Sequence, residues 1–507
     1  MLERYVKKIL SSRVYEVAVE TPLQPAPRLS ARTGHNVLLK REDMQPVFSF
    51  KIRGSHNKIA QLSEADQARG VIAASAGNHA QGVALSAQRL GLKAVIVMGR
   101  NTPSIKVNAV RALGARVVLH GDGFDEAKAY ADGLMAEHGY TFVHPFDDVD
   151  VIAGQGTVGM EIMNQHGGAP DVVFVPVGGG GLIAGISAYV KYLSPKTRVV
   201  GVEAQGSACL QAALQAGRRV KLPFESLDLF ADGVSVAQVG RETFKVARQC
   251  VDEVVTVSTD EICAAVKDLF DDTRAIAEPS GALAVAGLKK YAASRGPRHN
   301  GASMVAVVSG ANVNFDRLRH ISERAEVGEQ RELILGVTIA EERGSFRRFC
   351  QTLGKRSVSE FNYRYARDDE AHVYVGLQVA APDDRQAVID GLSAAGYRVQ
   401  DMTENEAAKL HVRHMVGGRT LGEKSELLFR FEFPERPGAL LKFLSGLGAD
   451  WNITMFHYRN HGAAWGRVLV GFEGADADRG RLLTKLQRIG YRHWEETDNP
   501  AYRLFLR

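Results

Sequence analysis

What most restricts the fold of this 507-residue chain is a series of short apolar runs rich in β-branched residues. They are Val37-Leu38-Leu39, Val71-Ile72-Ala73, Ala94-Val95-Ile96-Val97, Val117-Val118-Leu119, Val172-Val173-Phe174-Val175, Val199-Val200-Gly201-Val202, Val254-Val255-Thr256-Val257 and Met304-Val305-Ala306-Val307-Val308. None alternates apolar with polar residues, so each suits a strand buried on both faces, the condition of a parallel sheet covered by helices. Helix-period segments lie between them, for example Ala80 to Leu90 and Ser104 to Leu113. The pattern predicts an α/β unit with room for two lobes. The first four runs and the last four are separated by a helical stretch around Asp150 to His166.

After about Asn314 the texture changes. Arg317 to Arg331 is highly charged and reads as a connecting helix or linker, and the remainder of the chain repeats itself. Glu342-Arg343-Gly344 recurs as Glu435-Arg436-Pro437-Gly438, Phe361-Asn362-Tyr363-Arg364 as Phe456-His457-Tyr458-Arg459, and Gly396-Tyr397-Arg398 as Gly490-Tyr491-Arg492. The offsets run from 93 to 95 residues with one-residue gaps, a spacing that marks an internal duplication. Each copy reads strand, helix (Phe346 to Leu353; Ala439 to Leu447), two strands, helix, strand, a ferredoxin-like βαββαβ unit. Phe429, Phe431 and Phe433 alternate as the buried face of a strand does.

Charge excludes two classes of partner. Lys+Arg 63 against Asp+Glu 58 leaves +5 over a long chain, with no basic run, so neither a nucleic acid nor a membrane surface is expected. The apolar stretch from Val172 to Val190 contains Pro176 and Gly178-Gly179-Gly180-Gly181, so it reads as strand, glycine loop and helix start rather than a membrane helix. The beginning lacks a secretion signal, and Cys209, Cys250, Cys263 and Cys350 form no CxxC pair. They are expected to be free thiols in a reducing, cytoplasmic compartment. His120 and His320 lack metal-ligand spacing and read as surface residues; no metal is expected.

Three loops follow strands, where ligands of open α/β sheets bind. Ser49-Phe50-Lys51-Ile52-Arg53-Gly54 offers a lysine at a helix start, which by itself is also compatible with a solvated surface residue. Ser75-Ala76-Gly77-Asn78-His79-Ala80-Gln81-Gly82 enters a helix with backbone N–H groups fit to cradle a carboxylate, or simply to be capped. Gly178-Gly179-Gly180-Gly181-Leu182 lets the backbone approach a phosphate closely. A rival reading stands beside it: Gly179, Gly181 and Ala184 satisfy GxGxxA and Glu203 ends a strand about twenty residues later, as an NAD-dependent dehydrogenase requires. His144-Pro145-Phe146-Asp147-Asp148 could line a site or cap a loop, and Glu278-Pro279-Ser280-Gly281 opens a helix, where capping is the plain reading.

The ordered combination of Lys51, the Asn78 loop, the tetraglycine loop and Ser309-Gly310-Ala311-Asn312 resembles the fold-type II pyridoxal-phosphate enzymes, a two-lobed catalytic unit similar to the tryptophan synthase β subunit. With the duplicated tail the chain resembles the biosynthetic threonine ammonia-lyases, whose two regulatory domains are ACT-like. The resemblance covers essentially the whole chain. It implies a catalytic domain over 1-325, a first ACT-like domain over 326-410, a linker over 411-424 and a second ACT-like domain over 425-507. The implied reaction is loss of water and ammonia from L-threonine, with L-serine secondary, to give 2-oxobutanoate, the first committed step of isoleucine biosynthesis. A serine ammonia-lyase or a β-replacement enzyme is the alternative on the same cofactor.

By resemblance, Lys51 would form the Schiff base with pyridoxal 5'-phosphate and move protons at the substrate Cα. Phe50 would lie against the pyridine ring, Asn78 would meet its 3-hydroxyl, and Ser309 its nitrogen. Gly178, Gly179, Gly180, Gly181 and Leu182 would bind the phosphate; Ser75, Ala76, Gly77, Asn78 and His79 would hold the substrate carboxylate. No Asp or Glu near the leaving hydroxyl is identifiable in the sequence, so the cofactor phosphate is expected to protonate it. Similar serine racemases carry a second serine where Ala76 stands, so racemisation is disfavoured; Ser207 and Cys209 also replace those enzymes' cation ligands. The tail implies inhibition by L-isoleucine opposed by L-valine, in a homotetramer, with Tyr363, Arg364, Tyr458 and Arg459 as candidate effector contacts.

Overall fold

The computed structural model describes the chain except at residues 296–300, 330, 341–344, 355, 357, 366–369, 380–381, 415–425, 435–438, 448–450, 452, 460–464 and 507; at some further positions in helices and strands it describes backbone alone. The chain divides into two compact units, Met1–Ala325 and Glu326–Arg507.

The first unit holds two sheets. The smaller has the order Arg116–Leu119, Ala94–Met98, Val71–Ala74, Thr141–Phe142, parallel throughout. The larger has the order Leu23–Pro25, Asn36–Arg41, Ser303–Val308, Val172–Pro176, Arg198–Ala204, Glu253–Val257, parallel except for Leu23–Pro25. All eight predicted runs are strands, and the central ones, such as Ala94–Met98 and Val172–Pro176, are buried along their whole length. Arg116–Leu119 and Glu253–Val257 are partly exposed because they lie at sheet edges.

The expected partition of runs between lobes needs one correction. Val37-Leu38-Leu39 belongs to the large sheet, where Val37 pairs with Met304 from the far end of the unit. The chain starts the large sheet, leaves to build the small one and returns, a crossover that hydrophobic periodicity does not encode. Leu23–Pro25 and Thr141–Phe142 are further strands, too short to register as apolar runs. His320 is also buried, packed edge-on to Phe230 at 5.5 Å between centroids, rather than on the surface.

Close-packed helices set the layer beneath the loops. Gly185 of helix Gly181–Leu193 lies so near helix Val149–His166 that a Cβ on it would come within 2.5 Å of Ile152 O and Gly156 N. Gly54 of helix Lys51–Ala60 meets the same helix, where a Cβ would fall 2.8 Å from Val151 O. Small residues are therefore required where these backbones meet.

The second unit contains two antiparallel sheets of like order. One runs Val358–Tyr365, Glu370–Gln378, Glu332–Ala340, Arg398–Asp401; the other Ile453–Arg459, Trp465–Glu473, Glu426–Pro434, Arg492–Glu495. With helices Ser345–Leu353 and Pro382–Ala394 in one copy, and Ala439–Leu447 and Arg479–Ile489 in the other, each is the expected βαββαβ unit. Phe429, Phe431 and Phe433 are all in the core of the second copy. Each copy continues into a short helix the sequence reading did not anticipate, Glu406–Leu410 and Pro500–Phe505. Ile334, Tyr374, Met402, Leu428, Leu469 and Tyr502 join the copies in one shared core.

The duplication extends to single hydrogen bonds. Ile334 N–H donates to Thr403 Oγ1 and Leu428 N–H to Thr497 Oγ1, both at 3.0 Å. Asn405 and Asn499 each cap their short helix, and Asn405 Nδ2 donates to Asn499 Oδ1 at 3.0 Å where the copies meet. Tyr363 and Arg364 fall in strand Val358–Tyr365, and Tyr458 and Arg459 in strand Ile453–Arg459; their side chains lie outside the described residues. So do the repeated Glu342–Gly344 and Glu435–Gly438 segments and most of the 411–424 linker.

Candidate active site

The predicted loops converge at the C-terminal ends of parallel strands. Ser309 follows strand Ser303–Val308, and its carbonyl accepts from Phe50 N–H at 3.2 Å, while Ser49 and Gly310 form an isolated bridge. Phe50, Lys51 and Ser309 are thus tied together by backbone. Lys51 opens helix Lys51–Ala60, and its Nζ donates to Pro145 O at 3.0 Å. Burial disfavours the charged amine and brings its pKa from 10.5 down to about 8, against the opposing pull of Glu278. A lysine so placed is a nucleophile and base near neutral pH, not a solvated surface charge.

Arg53, two residues on and fully buried, anchors that helix. It pairs with Glu42 at 2.7 Å and Glu161 at 2.5 Å and donates to Thr157 Oγ1 at 3.0 Å; Lys40 also meets Glu161 at 2.5 Å. Buried ions matched in this way hold geometry firmly, since removing one partner costs about 3–5 kcal/mol. The arginine of the lysine loop therefore locks the helix whose first residue is Lys51.

The tetraglycine loop follows strand Val172–Pro176 and runs into helix Gly181–Leu193. Gly180 has φ 92°, and the helix begins with neither a side-chain cap nor an acidic residue in its first turn. Its first N–H groups are left for an anion. Gly178 packs on Val234, where a Cβ would fall 2.9 Å from Val234 Cα, and Gly179 and Gly181 pack on Phe146. Gly179 O accepts from Thr243 Oγ1 at 2.8 Å and from Gly240 N–H at 3.1 Å, which fixes the loop from behind. Leu182 contributes backbone here; its side chain lies in the core.

Around the Asn78 loop, Gly77 N–H donates to Ser75 Oγ at 3.3 Å and helix Asn78–Leu90 starts with no side-chain cap. Ala76 packs on the core of the smaller lobe. His79 donates from Nε2 to Val143 O at 2.8 Å and is held neutral by burial, its pKa lowered to about 3. His79 thus offers the site its backbone rather than its imidazole. His144 is likewise neutral, lowered by burial to about 4, with Nδ1 accepting from Phe146 and Asp147 N–H at 3.2 and 2.8 Å.

Two sequence expectations change. Glu203 does not stand ready for a ribose: its carboxylate accepts from Leu210 and Gln211 N–H at 2.8 and 2.9 Å, capping helix Cys209–Ala216. Burial raises its pKa to about 7, and the dinucleotide reading loses its acidic residue. Glu278, read as a helix cap, instead accepts from Asn78 Nδ2 at 2.6 Å across 200 residues of sequence. Burial, and next the nearby Asp232, raise its pKa. Glu278 therefore stands beside Asn78, and a Cβ on Gly310 would run into its Oε1.

A buried amine that among the described residues donates to one carbonyl, an uncapped helix start behind a glycine cradle, and Phe50, Asn78 and Ser309 on the loops beside the lysine fit an aromatic aldehyde carrying a phosphate. The comparisons with known proteins agree. Residues 15–310 match the family model described as pyridoxal-phosphate dependent enzyme. Residues 323–412 and 417–506 each match the C-terminal regulatory domain of threonine dehydratase. The chain is 54% identical over 505 residues to the biosynthetic L-threonine dehydratase IlvA of Burkholderia multivorans, covering 99% of both chains. It is 53% identical over 503 residues to that of Escherichia coli, covering 99% of this chain and 97% of the other. The solved processed form of threonine deaminase isoform 2 from Solanum lycopersicum is 49% identical with a TM-score of 0.62, covering 64% of this chain and 93% of that one. From its lysine and glycine loops to its duplicated tail, the chain belongs to the biosynthetic threonine dehydratase family of pyridoxal-phosphate-dependent enzymes.

Proposed function

We propose that the chain converts L-threonine to 2-oxobutanoate and ammonia by eliminating water across Cα and Cβ, the first committed step of isoleucine biosynthesis, with L-serine as a secondary substrate. The observation that carries the reading is Lys51, a buried amine with a lowered pKa beside a glycine cradle. Lys51 would hold the cofactor and Gly178–Leu182 its phosphate, with Phe50 against the ring, Asn78 at the ring oxygen and Ser309 at the ring nitrogen. When bound, pyridoxal phosphate supplies an electron sink for negative charge at the substrate Cα.

The chain's own residues do the rest. Ser75, Ala76, Gly77, Asn78 and His79 would receive the substrate carboxylate on N–H groups at the start of helix Asn78–Leu90. That orients the Cα–H toward Lys51, whose neutral amine takes the proton. Ser309 is a neutral hydroxyl and does not force a proton onto the ring nitrogen as an aspartate would, which favours prompt elimination. The aminocrotonate that leaves tautomerises and is hydrolysed in water, releasing ammonia.

The duplicated unit would bind L-isoleucine as inhibitor, opposed by L-valine, with Tyr363, Arg364, Tyr458 and Arg459 as contacts. Such feedback needs two states that the effector binds unequally, and a homotetramer is the proposed assembly in which they interconvert. Cys209, Cys250 and Cys263 are buried free thiols, which suits a reducing cytoplasm. The test is 2-oxo acid release from L-threonine by cofactor-loaded protein, with and without L-isoleucine, beside a light-scattering mass. Turnover suppressed by isoleucine in a particle of four chains supports the reading. No turnover with the cofactor bound at Lys51 would refute the substrate.

A further inference from the structure

The hydrogen bonds around Asn78 have a direction, and it originates in a backbone carbonyl. Val47 O can only accept, and Asn312 reaches it at 2.8 Å. The end of Asn312 facing Val47 is therefore its NH2 group. The same nitrogen lies 2.8 Å from the side chain of Asn78, so the atom it meets there is the acceptor Oδ1. Asn78 must then turn its own NH2 the other way, and there it meets Glu278 Oε1 at 2.6 Å. Amide orientation is settled by partners of this kind, and here every link is set by the one before it.

One hydrogen of Asn78 Nδ2 goes to Glu278, and among the described hydrogen bonds the second has no acceptor within the chain. We propose that Asn312 and Glu278 are positioning residues that fix the Asn78 amide so that it offers an N–H, never its carbonyl, to the ring oxygen of the cofactor. An oxygen that meets a donor is favoured in its deprotonated form. The relay Val47–Asn312–Asn78–Glu278 would thus set the ionisation of the ring from outside the ring. The packing supports a built feature: Gly310 and Gly281 are back to back with no room for a Cβ on either, and Glu278 N–H donates to Gly310 O at 3.1 Å. Burial, the largest influence on Glu278, works against its charge, and an acceptor is needed from it in either state.

This inference rests on the reading that Asn78 meets the ring oxygen, so the experiment separates the two. The holoenzyme and its variants are compared by the ratio of visible to near-ultraviolet absorbance of the bound cofactor, without substrate. Asn78→Ala should lower the ratio about tenfold, the weight of one hydrogen bond; an unchanged ratio would overturn the reading itself. Asn312→Asp, equal in size but unable to donate, should lower it similarly and add nothing in the Asn78→Ala background. Glu278→Gln keeps an acceptor and should retain the holoenzyme ratio, while Glu278→Leu should lose it. An altered Asn78→Ala spectrum beside an unaltered Asn312→Asp spectrum would overturn the relay. So would Glu278→Gln behaving like Glu278→Leu, since charge rather than orientation would then be at work.

Discussion

Lys51 can attack a carbonyl or take a proton only as the neutral amine, and its surroundings decide at what pH that form prevails. Burial lowers its pKa to about 8, and Glu278 raises it by a smaller amount. Below that pH the charged amine dominates and attacks poorly; above it the free base dominates. The rate at which the cofactor-free protein captures pyridoxal phosphate should therefore climb with pH to a midpoint near 8 rather than 10.5. Stopped-flow absorbance across that range checks it, and a climb still unfinished well above pH 8 would refute the neutral amine. His79 and His144, neutral at any working pH, should add no step near pH 6.5. Lys51, Asn78 and the glycine loop each had a plain structural reading in the sequence, and only their ordered combination, by its resemblance to a known family, marked them as candidates. The roles of Glu278 and Asn312 were not legible, because their meaning depends on a partner 200 or 234 residues away. Arg53 stood inside a recognisable motif, but its buried carboxylate partners did not.

Glycine does two different jobs in the helices. Gly185 lies where helix Gly181–Leu193 touches helix Val149–His166, and the atoms a Cβ would meet are backbone, which cannot rotate away. Gly185→Ala should destabilise the protein by about 1–3 kcal/mol as the helices are forced apart. The same movement would shift the glycine cradle at the start of the helix and weaken retention of the cofactor. Gly133, exposed in helix Phe124–His138, has nothing within 4 Å of a Cβ. Gly133→Ala should instead stabilise by about 0.5–1 kcal/mol through helix propensity alone. Thermal denaturation of the pair checks both signs, and loss of stability at Gly133 or gain at Gly185 would contradict the packing described. At this scale the sequence spoke clearly where burial on both faces abolishes alternation, as in Ala94–Met98. It was silent for Leu23–Pro25 and Thr141–Phe142, which are strands by virtue of their neighbours rather than their own residues.

Over the whole molecule, the division after Ala325 separates two units with cores of their own. In the catalytic unit, Ile321 and Ala325 of helix Arg317–Gly328 already pack into the main core, and Arg324 pairs with Asp260. In the regulatory unit the two copies complete each other: the shared core and the Asn405–Asn499 contact leave neither copy with a finished surface alone. The duplicated sequence foretold two domains, but not that their short terminal helices would meet, since nothing in a repeat states how its copies face. This arrangement predicts how the chain can be cut. A protein ending at Gly328 keeps the catalytic core and every residue proposed to hold cofactor and substrate, so it should bind pyridoxal phosphate and turn over L-threonine. It should also lose all response to L-isoleucine, which in the full chain is expected to weaken threonine binding by about 5- to 150-fold. Cutting between the copies, after His414, should do worse, because Tyr374, Ile334 and Met402 would lose the partners that bury them. Initial rates with and without isoleucine, beside a thermal melt of each protein, distinguish the cases. A shortened chain that melts normally and is still inhibited would place the effector on the catalytic unit. One that binds cofactor yet turns nothing over would mean that the duplicated unit takes part in the chemistry as well as in its control.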